Sequence, residues 1–315
     1  MGAFDRLRSY RLSPWGRTWL SRGVALVGFG LLAKILIETG IIGAGGVGGT
    51  DANDYWIAAN HVANGEPLYA AAYGTYLAYS YPPVFAQLLS PLSALSPIAF
   101  VWLWRTVELI ALRIAVDSWT RAGVALLIFP PAIAEIETGN VHLVMAAVCA
   151  LAMRGASLPI APAGLLKFAS FPLAPIGFLR DRRGFVTGVA VAGVVLLASV
   201  ALAPRAWSDY LSFLGANELP TVPAVALTIL PLPVRLALAS ALAIASVRFI
   251  RLAPVAVLLA YPVVWATSLT TLLAVVTPIP AGARQLSWRA ALRWRPARPD
   301  AGGTPHRPDE LVPAP

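Results

Sequence analysis

Long apolar stretches separated by clusters of arginine run through this chain, and that pattern leaves few folds open. The first stretch, about Gly23 to Gly43, is long enough to cross roughly 30 Å of hydrocarbon at about 1.5 Å per residue. Apolar residues make up 58% of the 315 positions and charged residues only 12%, where a soluble domain carries about 25% charged residues. Two soluble domains of this length would therefore lack the polar surface to coat them. A mean hydropathy of +0.70 excludes disorder as a description of the whole chain. The single cysteine, Cys149, lies in an apolar run, which excludes a disulfide scaffold and a cysteine-based metal cluster. The expected class is all-α, a polytopic transmembrane helical bundle.

The net charge of +9 does not point to nucleic acid, because the arginines fall between the apolar stretches instead of along one basic face. They gather at the N-terminus (Arg6, Arg8, Arg11, Arg17, Arg22), at Arg180, Arg182 and Arg183, at Arg248 and Arg251, and in the tail after Ala281. That is the spacing of cytoplasmic loops under the positive-inside rule. It divides the chain into an Arg-rich cytoplasmic segment (1–22), a multi-pass membrane domain (23–280) and a disordered, Pro- and Arg-rich cytoplasmic tail (281–315). Both termini are then cytoplasmic and the first span is retained, which places the chain in the plasma (inner) membrane. Residues 44–83 form a first external loop, rich in tyrosine and free of Lys and Arg, within which Asp54–Asn64 is expected as a short surface helix. Residues 204–220 form a second external loop.

Several stretches are too short or too interrupted for straight spans. Between Arg121 and Arg154 the stretch is broken at Pro130-Pro131 and over Glu135–His142, and the expected form is a hairpin of two short helices with Glu135–His142 at the outer turn. Between Arg154 and Arg180 a second hairpin is broken from Lys167 to Pro172, and Ala253–Val276 is broken at Tyr261-Pro262. Irregular backbone at that depth needs protein or a water-filled cavity around it.

Charged groups inside apolar runs are costly and usually face a partner or a cavity. Lys34 and Glu38, four apart, read as an internal ion pair that fixes packing, and Arg105 with Glu108 reads the same way. Lys167 has two readings: a phosphate-binding ammonium at the turn of a broken hairpin, or a partner of Glu135 or Glu137. Asp51 and Asp54 follow a Gly-rich exit; each is either a roofed, working carboxylate or a loop carboxylate, Asp51 then capping a helix that starts near Asn53. His142 stands at the outer end of an apolar helix, where an interfacial or capped role competes with substrate contact. The tyrosines serve as interface anchors or stack on sugar faces. No HExxH, GxSxG, P-loop or GxGxxG pattern stands in a usable context, so no metal and no nucleotide cofactor is expected.

Asp51-Ala-Asn-Asp-Tyr55-Trp56, Gly65-Glu-Pro-Leu-Tyr69 and Tyr79-Ser-Tyr81-Pro-Pro83 resemble the first external loop of glycosyltransferase family 87. Gly139-Asn140-Val-His142-Leu is similar to that family's Gly-Gln-x-Asn-Leu turn, with Asn140 and His142 in place of Gln and Asn. Gly164-Leu-Leu-Lys167 and Pro262-Val-Val-Trp265 follow in order.

The resemblance implies a GT-C-like fold and inverting transfer of a hexose (mannose-like) or pentose. The donor would be a polyprenyl-phosphate sugar, and the acceptor a glycolipid or glycan outside the cytoplasm. It assigns the general-base role to Asp51, with Asp54 as a second candidate. Tyr55, Tyr69, Tyr81, Asn140, His142, Lys167 and Trp265 become candidate substrate-binding residues. A lipid-linked donor is consistent with the missing nucleotide motif. Two other classes fit broken helices and buried charges: a transporter or flippase of lipid-linked sugars, and a non-catalytic membrane partner of envelope-synthesis enzymes.

Overall fold

The computed structural model describes residues 13–41, 49–70, 79–216 and 230–279, and every regular element among them is helical. A chain this apolar satisfies its backbone N–H and C=O groups within helices, since lipid offers no water to do so. In chain order these are α1 (Pro14–Ile41), α2 (Thr50–Asn64), α3 (Pro83–Leu89), α4 (Pro97–Val116), α5 (Trp119–Ile128), α6 (Pro130–Thr138), α7 (His142–Arg154), α8 (Ile160–Leu166), α9 (Ala174–Arg180), α10 (Arg182–Leu202), α11 (Pro204–Ala216), α12 (Leu232–Ser246) and α13 (Ala253–Leu259). Short 3-10 segments continue α3 (Ser90–Ala94), join α8 to α9 (Phe168–Leu173), precede α13 (Ile250–Leu252) and follow it (Thr267–Val276). The tail from Ala281 lies outside the described residues.

Two helices, over Pro14–Thr39 and Arg182–Leu202, are long and apolar enough to cross a membrane. The first starts ahead of Gly23 and draws Arg17 and Arg22 into its opening turns. It packs on α5 with no side chain between the backbones: a Cβ on Gly28 would lie 1.8 Å from the Gly123 carbonyl oxygen, and one on Gly123 would lie 2.7 Å from the Ala25 Cα. Small residues at such crossings let helices associate by close packing where lipid supplies no hydrophobic drive.

The expected hairpin between Arg121 and Arg154 is interrupted at both places its sequence marks, Pro130-Pro131 and Glu135–His142. The outgoing arm is itself split, α5 and α6 meeting at 100° before Pro130, because the residue before a proline resists helical backbone. Gly139 then ends α6 in the left-handed conformation (φ 78°), its N–H bonded to the Glu135 carbonyl at 2.7 Å. The second hairpin breaks where expected: Lys167 is extended (φ −153°) between α8 and the following 3-10 turns. The 204–220 loop is a helix through Ala216; residues 217–229 lie outside the described set.

Both expected charge pairs need correction. Lys34 and Glu38 do meet at 2.7 Å, but their side chains are 64% and 49% exposed on the face of α1 opposite buried Leu32 and Leu36. Arg105 and Glu108 are buried without an ion pair between them. Arg105 instead donates to the Glu137 carbonyl and stacks on the Trp102 ring, since the last carbonyls of a helix such as α6 have no partner within it.

Three apolar clusters organise the fold. One joins α1 to α4–α7, a second joins α7 to α8, α9, α13 and the last 3-10 segment, and a third packs α2 on α3 and α4. The joint between α2 and α6 is tight: a Cβ on Gly139 would stand 2.5 Å from the Ala52 Cβ and 3.2 Å from Trp104 Cδ1. Gly65 has a similar φ of +71° with nothing near it. Gly65→Ala should therefore cost only backbone strain, on the order of 1 kcal/mol, while Gly139→Ala should cost clearly more. Thermal unfolding of both variants in detergent checks this, and equal losses would contradict the tight joint.

Candidate functional site

The site begins at the N-terminus of α2. Gly49 turns the chain there in a left-handed conformation (φ 87°) and makes no side-chain cap, so Asp51 lies inside the first turn and is not the capping residue. A carboxylate in a first turn is favoured by the helix dipole. Ala52, Tyr55, Ala58 and Ala59 form the buried face of this helix and fix its rotation. Asp51 and Asp54, three apart, share another face.

Opposite stands the broken segment α6–α7. Glu135, fully buried, reaches across the gap and caps α7: one carboxylate oxygen accepts the backbone N–H of His142 at 2.5 Å and of Leu143 at 3.3 Å. The other oxygen faces His142 Nδ1 at 3.0 Å. The Lys167 ammonium lies 3.0 Å from His142 Nε2, so its contact with Glu135 runs through His142 and not through a direct ion pair. The same ammonium sits over the rings of Tyr81 at 5.5 Å and Tyr261 at 5.1 Å. Arg235 holds that far wall by donating to the backbone carbonyls of Tyr261 and Pro262.

Asn140 links the two halves. Its side-chain carbonyl accepts the Val141 N–H at 2.8 Å and the Tyr81 hydroxyl at 3.1 Å, while its amide end donates to Asp51. Burial pushes the Asp51 carboxyl up to about 6, and the charge of Glu135 adds to that; Lys167 and hydrogen bonds from Asn140 and Thr138 pull it back. Burial, with the Asp51 charge beside it, pushes Asp54 up to about 7. One Asp54 oxygen is buried with no hydrogen-bond partner among the described residues.

The tyrosines are structural to a degree the sequence did not reveal. Tyr55 is 1% exposed, donates to the Tyr81 hydroxyl at 2.8 Å, and stands edge-on to Tyr81, Phe85 and Trp104. Tyr69 donates to the Tyr81 carbonyl at 2.7 Å and packs on Tyr210 and Phe213 of α11. Tyr81, which carries Lys167 on its ring, is thus supported from both sides. Trp265 takes part through its backbone N–H, bonded to Ser268 Oγ at 3.1 Å; its indole makes no ring contact with these groups among the described residues. Tyr261 and Ser268 belong to the site and were missed from sequence. Only the Tyr261-Pro262 helix break hinted at that wall.

An apolar groove of about 270 Å³ is lined by Leu88, Val144, Ala163, Val191, Leu166 (the residue before Lys167) and their neighbours. The arrangement offers a carboxyl held above its ordinary range, an ammonium with more N–H donors than its one hydrogen bond to His142 uses among the described residues, and an apolar groove that includes the neighbouring Leu166. Among the described residues no group of three His, Cys, Asp or Glu side chains could hold a metal ion.

The sequence pattern of glycosyltransferase family 87 matches residues 79–294, more than half of the chain, and the protein belongs to that family of membrane glycosyltransferases. The match begins after Asp51, Asp54, Tyr55 and Tyr69. No curated protein and no solved structure matches.

The raised carboxyls carry a stability consequence. The folded state keeps protons on Asp51 and Asp54 above the ordinary value of 3.8, at which the unfolded chain releases them. Stability should therefore fall as pH rises from about 4 through about 7. Asp54→Asn should flatten the upper part of that slope, read as the thermal midpoint against pH in detergent. An unchanged slope would contradict the burial of Asp54.

Proposed function

We propose that this family 87 chain transfers a mannose-like hexose or a pentose from a polyprenyl-phosphate donor to a glycolipid or glycan acceptor on the extracytoplasmic side. Asp51 is the general base and Lys167 the partner of the leaving phosphate. One observation carries the reading: a half-buried carboxyl held above its ordinary range and a half-buried ammonium lie within electrostatic reach of each other, each positioned by its own network.

In a single displacement the acceptor hydroxyl attacks the anomeric carbon as Asp51 takes its proton. The new C–O bond forms while the bond to phosphate breaks, and the electron pair leaves on the phosphate. An acceptor hydroxyl is a poor nucleophile, so a base within hydrogen-bond reach is needed, and one whose pKa approaches the working pH serves best. Burial gives Asp51 that property. Negative charge developing on the phosphate is stabilised by preorganised donors. His142 and the two aromatic rings position Lys167 for that task. The apolar groove ending at Leu166 suits a prenyl chain whose phosphate would then lie at the next residue, Lys167. Asp54, three residues from Asp51, has the same chemistry and is the second candidate base. Inversion at the anomeric carbon follows from a single displacement.

Transfer from a radiolabelled polyprenyl-phosphate sugar, measured in membranes, tests this reading. Asp51→Asn should lower kcat by about 10²-fold or more, and full activity in that variant would remove Asp51 from the role. The base must be ionised, so the rate should fall about tenfold per unit below pH 6 and level off above it. Asn140→Ala removes a donor that favours the ionised form and should move that limb to higher pH. A limb that stays in place would show that Asp51 is not the titrating group.

A further inference from the structure

His142 Nε2 faces two donors at once. The Lys167 ammonium lies 3.0 Å away and the Ser268 hydroxyl 3.1 Å away. The opposite ring nitrogen faces a Glu135 oxygen at 3.0 Å. A carboxylate oxygen in that position accepts, so the ring keeps its proton on Nδ1 and presents a single lone pair at Nε2. Two donors compete for that one lone pair. Ser268 is fully buried, and its oxygen already accepts the Trp265 backbone N–H. Among the described residues its one hydroxyl proton has His142 as its acceptor. Lys167 differs in both respects: it carries three N–H donors and is only partly buried.

We propose that Ser268 is a positioning residue that frees Lys167 for its substrate. When the ammonium turns toward an anionic oxygen of a lipid phosphate, the Ser268 hydroxyl takes over the His142 lone pair. The imidazole stays satisfied, keeps its tautomer and keeps its place on Glu135. Without Ser268, the departure of Lys167 leaves a buried nitrogen with no donor, and that penalty opposes phosphate binding. Ser268 needs no contact with substrate to do this. The inference rests on reading Lys167 as the phosphate partner.

Farnesyl phosphate, with farnesol as the control lacking phosphate, is the probe, and binding is measured by titration of the full chain in detergent. The first arm tests the underlying reading: the wild type should prefer farnesyl phosphate, and Lys167→Ala should lose that preference. If both proteins bind the two probes alike, the phosphate reading fails, and the proposal for Ser268 fails with it.

The second arm tests Ser268 alone. Ser268→Ala should bind farnesyl phosphate about tenfold more weakly and farnesol unchanged, and Ser268→Thr, which keeps the hydroxyl, should restore most of the affinity. In a Lys167→Ala background, Ser268→Ala should have no further effect, because the two residues then no longer exchange places. The proposal is overturned while the first reading stands if Ser268→Ala matches the wild type, weakens farnesol equally, or adds its full loss in the Lys167→Ala background. Should the alanine variant not yield folded protein, Ser268→Cys, with its weaker donor, goes through the same cycle with the same outcomes.

Discussion

The Glu135 carboxylate accepts two backbone N–H groups at the start of α7 and faces the Nδ1 nitrogen of His142, all away from solvent. An anion at a helix N-terminus meets both the free N–H groups and the positive end of the dipole. The same carboxylate therefore fixes where α7 begins and which way its first side chain turns. His142 then sets the position of Lys167, which comes from a different hairpin. Removing Glu135 would strand several buried donors together, a loss larger than that of a single hydrogen bond. Glu135 thus belongs to the site and also caps the helix on the far side of the break.

Broken helices bring polar groups to membrane depth but leave backbone ends to be satisfied. Two of the breaks are met by neighbouring side chains. Glu135 meets the α6–α7 gap, Arg105 takes the Glu137 carbonyl, and Arg235 takes the carbonyls of Tyr261 and Pro262. Arginine suits this work because its fork of N–H donors stays charged in most surroundings. The buried arginines near the site thus serve the backbone, whereas Lys167 is turned to a side chain, His142.

What the sequence made legible followed from composition and from prolines. The helical class, the break at Lys167 and the break at Tyr261-Pro262 were all readable, because apolar length and proline act locally. The grouping of Asn140, His142 and Lys167 was readable through the order of short motifs. The partners of buried charge were not. Arg105 and Glu108 have helical spacing for a pair, yet Arg105 donates to a carbonyl from α6, which only the tertiary fold brings near. The tyrosine-rich segment read as a surface, whereas Tyr55 lies in the core: a phenol is large and apolar enough to be buried once its hydroxyl finds Tyr81. Ser268 has no motif around it, and its meaning depends on a histidine far away in the chain.

The contact between Gly28 and Gly123 sets an order of events during biosynthesis. About a hundred residues separate the two glycines, so at roughly 5–20 residues per second the first helix waits several seconds for its partner to leave the ribosome. Through that interval the glycine face of α1 is without the α5 backbone it packs on in the finished fold. Its length and apolar composition are enough to cross a membrane. The neutralised Lys34–Glu38 pair on its outward face makes that solitary stage less costly than a lone charge would.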